Sequence, residues 1–233
     1  MLSVESLSVY YGRAQVLFDL SLTVGRGEVV ALLGRNGAGK TTTLKAIMGL
    51  IPVASGRIAF EDRSIDKLDP HQIARLGIGY VPEDRRIFSG LTVAENLMVG
   101  ARPAADGEEP WTPERLFALF PNLADLRRRR GSEISGGEQQ MLALARTLMG
   151  NPRLLLLDEP SEGLAPIIVR QMAESLEALK AEGLAILLSE QNLRFARALA
   201  DRAAVIEKGR IRYDGDMRRL TEDEALRRTH LAL

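Results

Sequence analysis

One octapeptide limits the possible folds more than any other part of the chain: Gly34, Arg35, Asn36, Gly37, Ala38, Gly39, Lys40 and Thr41 fit the pattern G-x-x-x-x-G-K-[ST]. It follows an apolar run over 28–33 and leads into a segment over 40–48 that reads as a helix. So short and continuous a run suits a strand covered on both faces, as in a parallel sheet flanked by helices. In that setting the glycines let successive backbone N–H groups curl around an anion, and the helix N-terminus adds partial positive charge. Lys40 then reaches the β- and γ-phosphates, Thr41 offers its hydroxyl to Mg²⁺, and Thr42 completes the nucleotide-contacting stretch. Alone, the pattern establishes only a binder of nucleoside triphosphates, and a glycine-rich turn with no ligand would carry the same letters. A kinase-type glycine loop is disfavoured, because there the lysine lies on a separate strand.

A second apolar run, the leucines at 154–157, ends in two adjacent carboxylates, Asp158 and Glu159. Asp158 suits Mg²⁺, since hard cations prefer oxygen ligands. Side chains alternate along an extended segment, so Glu159 points elsewhere and can orient and deprotonate an attacking water. The competing reading is an acidic helix cap before Pro160. Together with the upstream phosphate loop, the functional reading dominates.

The remaining pattern is α/β. Period-two alternation over 2–9 and 16–24 reads as half-buried antiparallel edge strands. Short strands follow at 57–60 and 78–81, with a helix over 69–76 between them. From 92 to 150 the chain turns mainly helical, opening on the capping box of Thr92 and Glu95. Within it, 101–111 has the composition of a mobile surface loop, Trp111 packs locally, and Thr112 caps a helix with Pro113 at its first position. The arginines at 127–130 read as the last turn of a helix ended by Gly131, with a basic binding patch as the alternative. After Pro152 come strands at 154–157, 185–188, 203–206 and 210–213, helices over 166–179 and 192–199, and a terminal helix opened by Thr221, Glu222, Asp223 and Glu224. There is no internal repeat.

Charge and composition narrow the partners. The chain carries 31 basic and 31 acidic residues, so no global field recruits nucleic acid or anionic lipid. It has no cysteine, which excludes disulfides and thiolate metal sites. The first ten residues lack the basic start and apolar core of a signal peptide. No apolar stretch approaches the roughly 18 residues of a membrane span. The expectation is a soluble, cytoplasmic protein.

Ile134, Ser135, Gly136, Gly137, Glu138, Gln139 and Gln140 precede a helix expected over 139–149. This heptapeptide resembles the signature sequence of ABC transporter ATP-binding subunits. Physically it is a second anion nest, in which Ser135, Gly136, Gly137 and Glu138 can meet a γ-phosphate, with simple N-capping as the alternative. The resemblance covers nearly the whole chain. It implies one α/β P-loop NTPase (RecA-like) domain, with a core over 1–82 and 152–233, an antiparallel β edge subdomain and a helical insertion over about 83–151. It also implies that MgATP is sandwiched between the phosphate loop of one subunit and the signature of another.

Further roles follow from the same resemblance. Tyr11 matches the aromatic that stacks on adenine, although an edge-strand tyrosine would look the same. Residues 161–165 occupy the loop that communicates between the two sites, without its usual aspartate. Glu83 stands where most members have a glutamine that senses the membrane domain, and its carboxylate can still take a metal or a water. Gln191 stands where a histidine usually touches the γ-phosphate, which would leave turnover without histidine-linked pH dependence.

These departures, with the segments 91–97 and 159–166, are similar to the branched-chain amino-acid importer branch, LivF-type. That implies a paralogous ATPase partner in a heterodimer, with a homodimer as the alternative. Two integral membrane permease subunits, and indirectly a periplasmic solute-binding protein, would complete the assembly. The subunit would sit on the inner face of the cell membrane. The same machinery could carry urea, short amides or other amino acids. A DNA-maintenance ATPase of related design needs long coiled coils between its motifs, and no sustained heptad pattern lies between Lys40 and Ser135. A degenerate regulatory cassette is disfavoured because Lys40, Thr41, Asp158 and Glu159 are all present.

Overall fold

A computed structural model describes residues 1–104 and 109–231. The alternating N-terminal segments form β1 (Leu2–Tyr11) and β2 (Ala14–Val24), an antiparallel hairpin. Then come β3 (Val29–Leu33), α1 (Lys40–Ile47), β4 (Ser55–Phe60), the two-residue β5 (Arg63–Ser64), α2 (Pro70–Arg75) and β6 (Ile78–Val81). The helical stretch holds α3 (Val93–Gly100), α4 (Pro113–Leu119), α5 (Pro121–Asp125), a 3-10 turn (Gly131–Glu133) and α6 (Gly136–Leu148). The second α/β half runs β7 (Leu154–Asp158), α7 (Pro166–Ala181), β8 (Ala185–Glu190), α8 (Leu193–Leu199), β9 (Arg202–Glu207), β10 (Arg210–Asp216), α9 (Met217–Glu222) and α10 (Glu224–Leu231).

Two sheets organise these elements. A four-stranded antiparallel sheet has the order β2-β1-β4-β5, and a six-stranded sheet has the order β10-β9-β3-β8-β7-β6. In the larger sheet β9, β3, β8, β7 and β6 are parallel, and β10 closes one edge antiparallel to β9. Every residue of β3, β7 and β8 is buried, as the uninterrupted apolar runs require of strands covered on both faces. One face packs on α1 and the antiparallel sheet through Leu32, Leu44, Leu156 and Leu187. The opposite face packs on α6 and α7 through Leu142, Leu155, Leu176 and Leu188, and the same cluster extends to Leu97, Leu116 and Phe120. The short helices thus share a core with the sheet.

Three expectations are corrected. The arginine run does not end a helix, because α5 stops at Asp125. The carbonyls of Arg127 and Arg129 instead accept the N–H groups of Ala94 and Val93, so this backbone satisfies the otherwise unpaired first turn of α3. The signature helix starts at Gly136, three residues earlier than expected, because Ser135 caps it and the glycines form its first turn. Thr221 opens no helix. It lies inside α9, capped by Asp216, while Asp223 accepts N–H groups at the start of α10.

The caps at Thr92 and Thr112 form as expected. Trp111 packs locally, with the Arg115 guanidinium 3.8 Å from its ring centre. The loop expected over 101–111 has no regular structure at 101–104 and 109–111, and its middle lies outside the described residues.

Candidate active site

Parallel pairing brings the pieces of the site together. β8 lies between β3 and β7, and register sets Leu33 beside Glu190 and Asp158 beside Ser189, so three carboxyl ends finish level. Ligands bind at such strand ends in open α/β sheets. The phosphate loop leaves β3 here. Gly39 takes φ 116°, a left-handed conformation that side-chain-bearing residues rarely adopt, and a Cβ on it would also press on Leu17 Cδ2 at 2.7 Å, so glycine suits the position.

Lys40 is buried. Its ammonium donates to the carbonyls of Gly34 at 2.7 Å and Arg35 at 3.2 Å, and pairs with Glu159 at 3.1 Å. Asp158, 1% exposed, accepts from three hydroxyls: Thr41 at 2.9 Å, Ser189 at 2.7 Å and Tyr80 at 3.0 Å. Burial, and next the Asp158 charge, push the Tyr80 phenol upward, so Tyr80 stays a proton donor to this carboxylate. Thr41 and Asp158 supply adjacent oxygen ligands, which suits Mg²⁺, an ion that takes few protein ligands and fills its octahedron with phosphate and water oxygens.

Glu159 diverges from Asp158, but simple strand alternation is not the reason. Its backbone is left-handed, φ 46°, and this turns its carboxylate toward Lys40 and Gln191. No helix starts there, since α7 begins at Pro166, so the acidic-cap reading falls away. Gln191 donates to Glu159 at 2.8 Å and to Asn36 at 2.6 Å, joining the phosphate loop to the carboxylate. Burial alone would raise the Glu159 carboxyl. Hydrogen bonds from Glu162, Gln191 and Lys40 outweigh it and hold the group below its usual range. Glu162, sharing that hydrogen bond and facing that charge, is pushed up to about 7.

The other sequence-predicted residues sit apart. Among the described residues Ser135 bonds only at its own helix start, where its hydroxyl accepts the Glu138 N–H at 3.3 Å, its N–H reaches the Glu138 carboxylate at 2.6 Å and its carbonyl accepts the Gln139 N–H at 2.9 Å. Among the described residues, no hydrogen bond or ion pair joins Ser135, Gly136, Gly137 or Glu138 to the phosphate loop. Glu83 is exposed and makes no hydrogen bond to Thr41 or Asp158, and its charge acts instead on Glu162. Tyr11 is 48% exposed at the end of β1. It does not line the cavity of about 720 Å³ beside Gly34 to Ala38, and neither do Lys40, Thr41 or Asp158. Sequence reading overlooked Tyr80 and Ser189, and placed Glu162 in the communicating loop without its tie to Glu159. The one available signal was position, since Tyr80 and Ser189 stand near the carboxyl ends of short apolar strands.

Beside this geometry stands a match in sequence: the family model described as ABC transporter matches residues 17–162. The chain belongs to the ABC transporter family. Among its relatives, the high-affinity branched-chain amino acid transport ATP-binding protein BraG of Pseudomonas aeruginosa is 48% identical over 211 residues, 91% of each chain. The lipopolysaccharide export system ATP-binding protein LptB of Escherichia coli K12 is 37% identical over 232 residues, 99% of this chain and 96% of that one. A solved structure described as the ATP binding subunit of an ABC transporter superposes with a TM-score of 0.83 at 31% identity, covering 100% of this chain and 96% of the other. This chain is therefore an ABC-type ATPase, and its likeness to the branched-chain branch, drawn first from the sequence, holds at the level of identity. Among the described residues, no helix is long and apolar enough to cross a membrane.

Proposed function

We propose that this chain is the ATP-hydrolysing subunit of an importer for branched-chain amino acids, working from the cytoplasmic face of the membrane through separate permease subunits. The observation that carries the chemistry is the convergence of Lys40, the Thr41–Asp158 pair and Glu159 at adjacent strand ends. Lys40 holds the β- and γ-phosphates, and Glu159 takes the proton of the attacking water while Gln191 fixes its orientation. Thr41 and Asp158 would hold Mg²⁺, which would supply positive charge to offset that of the phosphates. The signature of a second ATPase chain, paralogous or identical, completes the cage from outside, since Ser135 has no such role within its own chain.

A groove of about 460 Å³ supports the membrane partner. It is lined by Leu50, Phe88, Val99 and Arg146 among others, and Phe88 and Val99 are 47% and 53% exposed. The core of 1–82 and 152–233 and the helical subdomain of about 83–151 would form its two banks. Cargo rests on the likeness to BraG, which exceeds that to LptB, 48% against 37%. LptB covers more of the chain, which favours export of a lipidic substrate as the second reading. A DNA-maintenance role gains nothing from α3, α4 and α5, of eight residues or fewer, where a coiled coil would be needed. Purifying the native complex, identifying its permease and periplasmic partners, and comparing uptake of labelled leucine with that of urea tests the reading. Leucine uptake lost in Lys40→Ala supports it, and a complex lacking any solute-binding protein overturns it.

A further inference from the structure

Glu190 has no role in the chemistry above, yet it is 2% exposed and ends β8 at the centre of the site. One carboxylate oxygen accepts the Ser161 N–H at 3.1 Å, and the other accepts those of Gln191 at 3.1 Å and Asn192 at 3.0 Å. Its backbone carbonyl accepts the Gly34 N–H at 3.3 Å. Three loops therefore meet on one residue: the phosphate loop, the segment after Glu159, and the turn bearing Gln191. Among the described residues no cation pairs with it, and burial pushes its carboxyl upward. With no cation beside it, the buried carboxylate is held by hydrogen bonds alone, the Ser161 side chain adding to the three N–H groups. Holding N–H groups on two separate loops requires a side chain with an acceptor at each end. Glutamine offers one such end, and aspartate is a methylene shorter.

We propose that Glu190 is a positioning residue, a two-ended clamp that ties the loop beginning at Ser161 to Gln191 and Asn192, so that movement of the first loop resets Gln191 against Glu159. The path is short and continuous. Ser161 leads to Glu162, which faces Glu159, and Gln191 reaches Glu159 and Asn36 together. Contact by a second subunit on the Ser161 loop is thereby carried to the water-orienting amide without passing through the bound phosphates. The kinetic consequence rests on the ATPase reading; the mechanical one does not.

The isosteric variant Glu190→Gln separates the two ends. Its remaining oxygen serves best where two N–H groups converge, at Gln191 and Asn192, leaving its NH₂ against the Ser161 N–H. Amide exchange in the intact protein should accelerate at Ser161 by about tenfold or more, the fold-change of one lost charge-assisted hydrogen bond, and far less at Asn192. In the assembled complex kcat should fall about tenfold or more while KM for ATP stays within about threefold, a split that general destabilisation would not give. Unchanged exchange at Ser161, or a KM that rises as kcat falls, overturns the clamp. The unsubstituted protein gives a second test: on adding ATP, protection at Ser161 and Asn192 should change by a common factor, and independent changes overturn the proposal. A wild-type complex without ATPase activity would defeat the functional reading and leave the exchange test standing.

Discussion

The phosphate-loop half of the site and the signature half are built on opposite terms. Lys40 and Asp158 are buried, and their side chains are bonded to other parts of the same chain, Lys40 to the Gly34 carbonyl and Asp158 to the Ser189 hydroxyl. Ser135 is exposed and bonds only to its own helix start. The first half is preorganised by the fold, so its geometry exists before any partner arrives. The second makes no hydrogen bond or ion pair with the chain's own phosphate loop among the described residues, and the helix end proposed to meet an anion is exposed at Ser135.

The sharpest way to break that contrast is Glu159→Gln. Hydrolysis should fall by about 10²–10⁴-fold, the scale of a lost general base, while ATP drives dimer formation that scattering or sedimentation can follow. A variant that stays monomeric at saturating ATP would show the signature half to be idle. Leu142→Ala attacks the same helix from its buried side, where Leu142 is 0% exposed. It should cost about 2–5 kcal/mol in chemical denaturation and weaken both halves together. Ser135→Ala should cost about 1 kcal/mol of stability through the lost cap. It should leave ATP affinity of the isolated chain unchanged and lower turnover only in the assembled complex.

The smallest effect concerns pH. Glu162 carries a proton up to about 7, so its contribution to stability is complete below its ordinary value of 4.5 and is lost as pH rises through about 7. Melting temperature should fall across that window and flatten in Glu162→Gln. Gln191→His should add a histidine limb to the ATPase profile of the complex, and an unchanged profile would remove Gln191 from the reacting centre.

What the sequence disclosed follows from how local each signal is. The buried strands were legible because an apolar run such as 154–157 admits few environments, and the loop from Gly34 to Thr41 because its glycines and lysine are contiguous. The divergence of Glu159 was legible, but its cause was not, since a left-handed glutamate is held by surrounding contacts rather than by its own preference. Tyr80 and Ser189 converge on Asp158 only because β6 and β8 flank β7, and strand order is not written in any one segment. The arginine run misled for a similar reason, because its backbone answers the needs of a helix some thirty residues earlier in the chain.

The groove flanked by Phe88 and Val99 has a practical corollary. Side chains this greasy, left bare on an overproduced ATPase, invite copies to stick to one another or to detergent micelles. On the proposed reading, co-production with the membrane partner should raise the yield of monodisperse material, and charged replacements at Phe88 or Val99 should do the same for the solitary subunit while lowering its recovery on membranes.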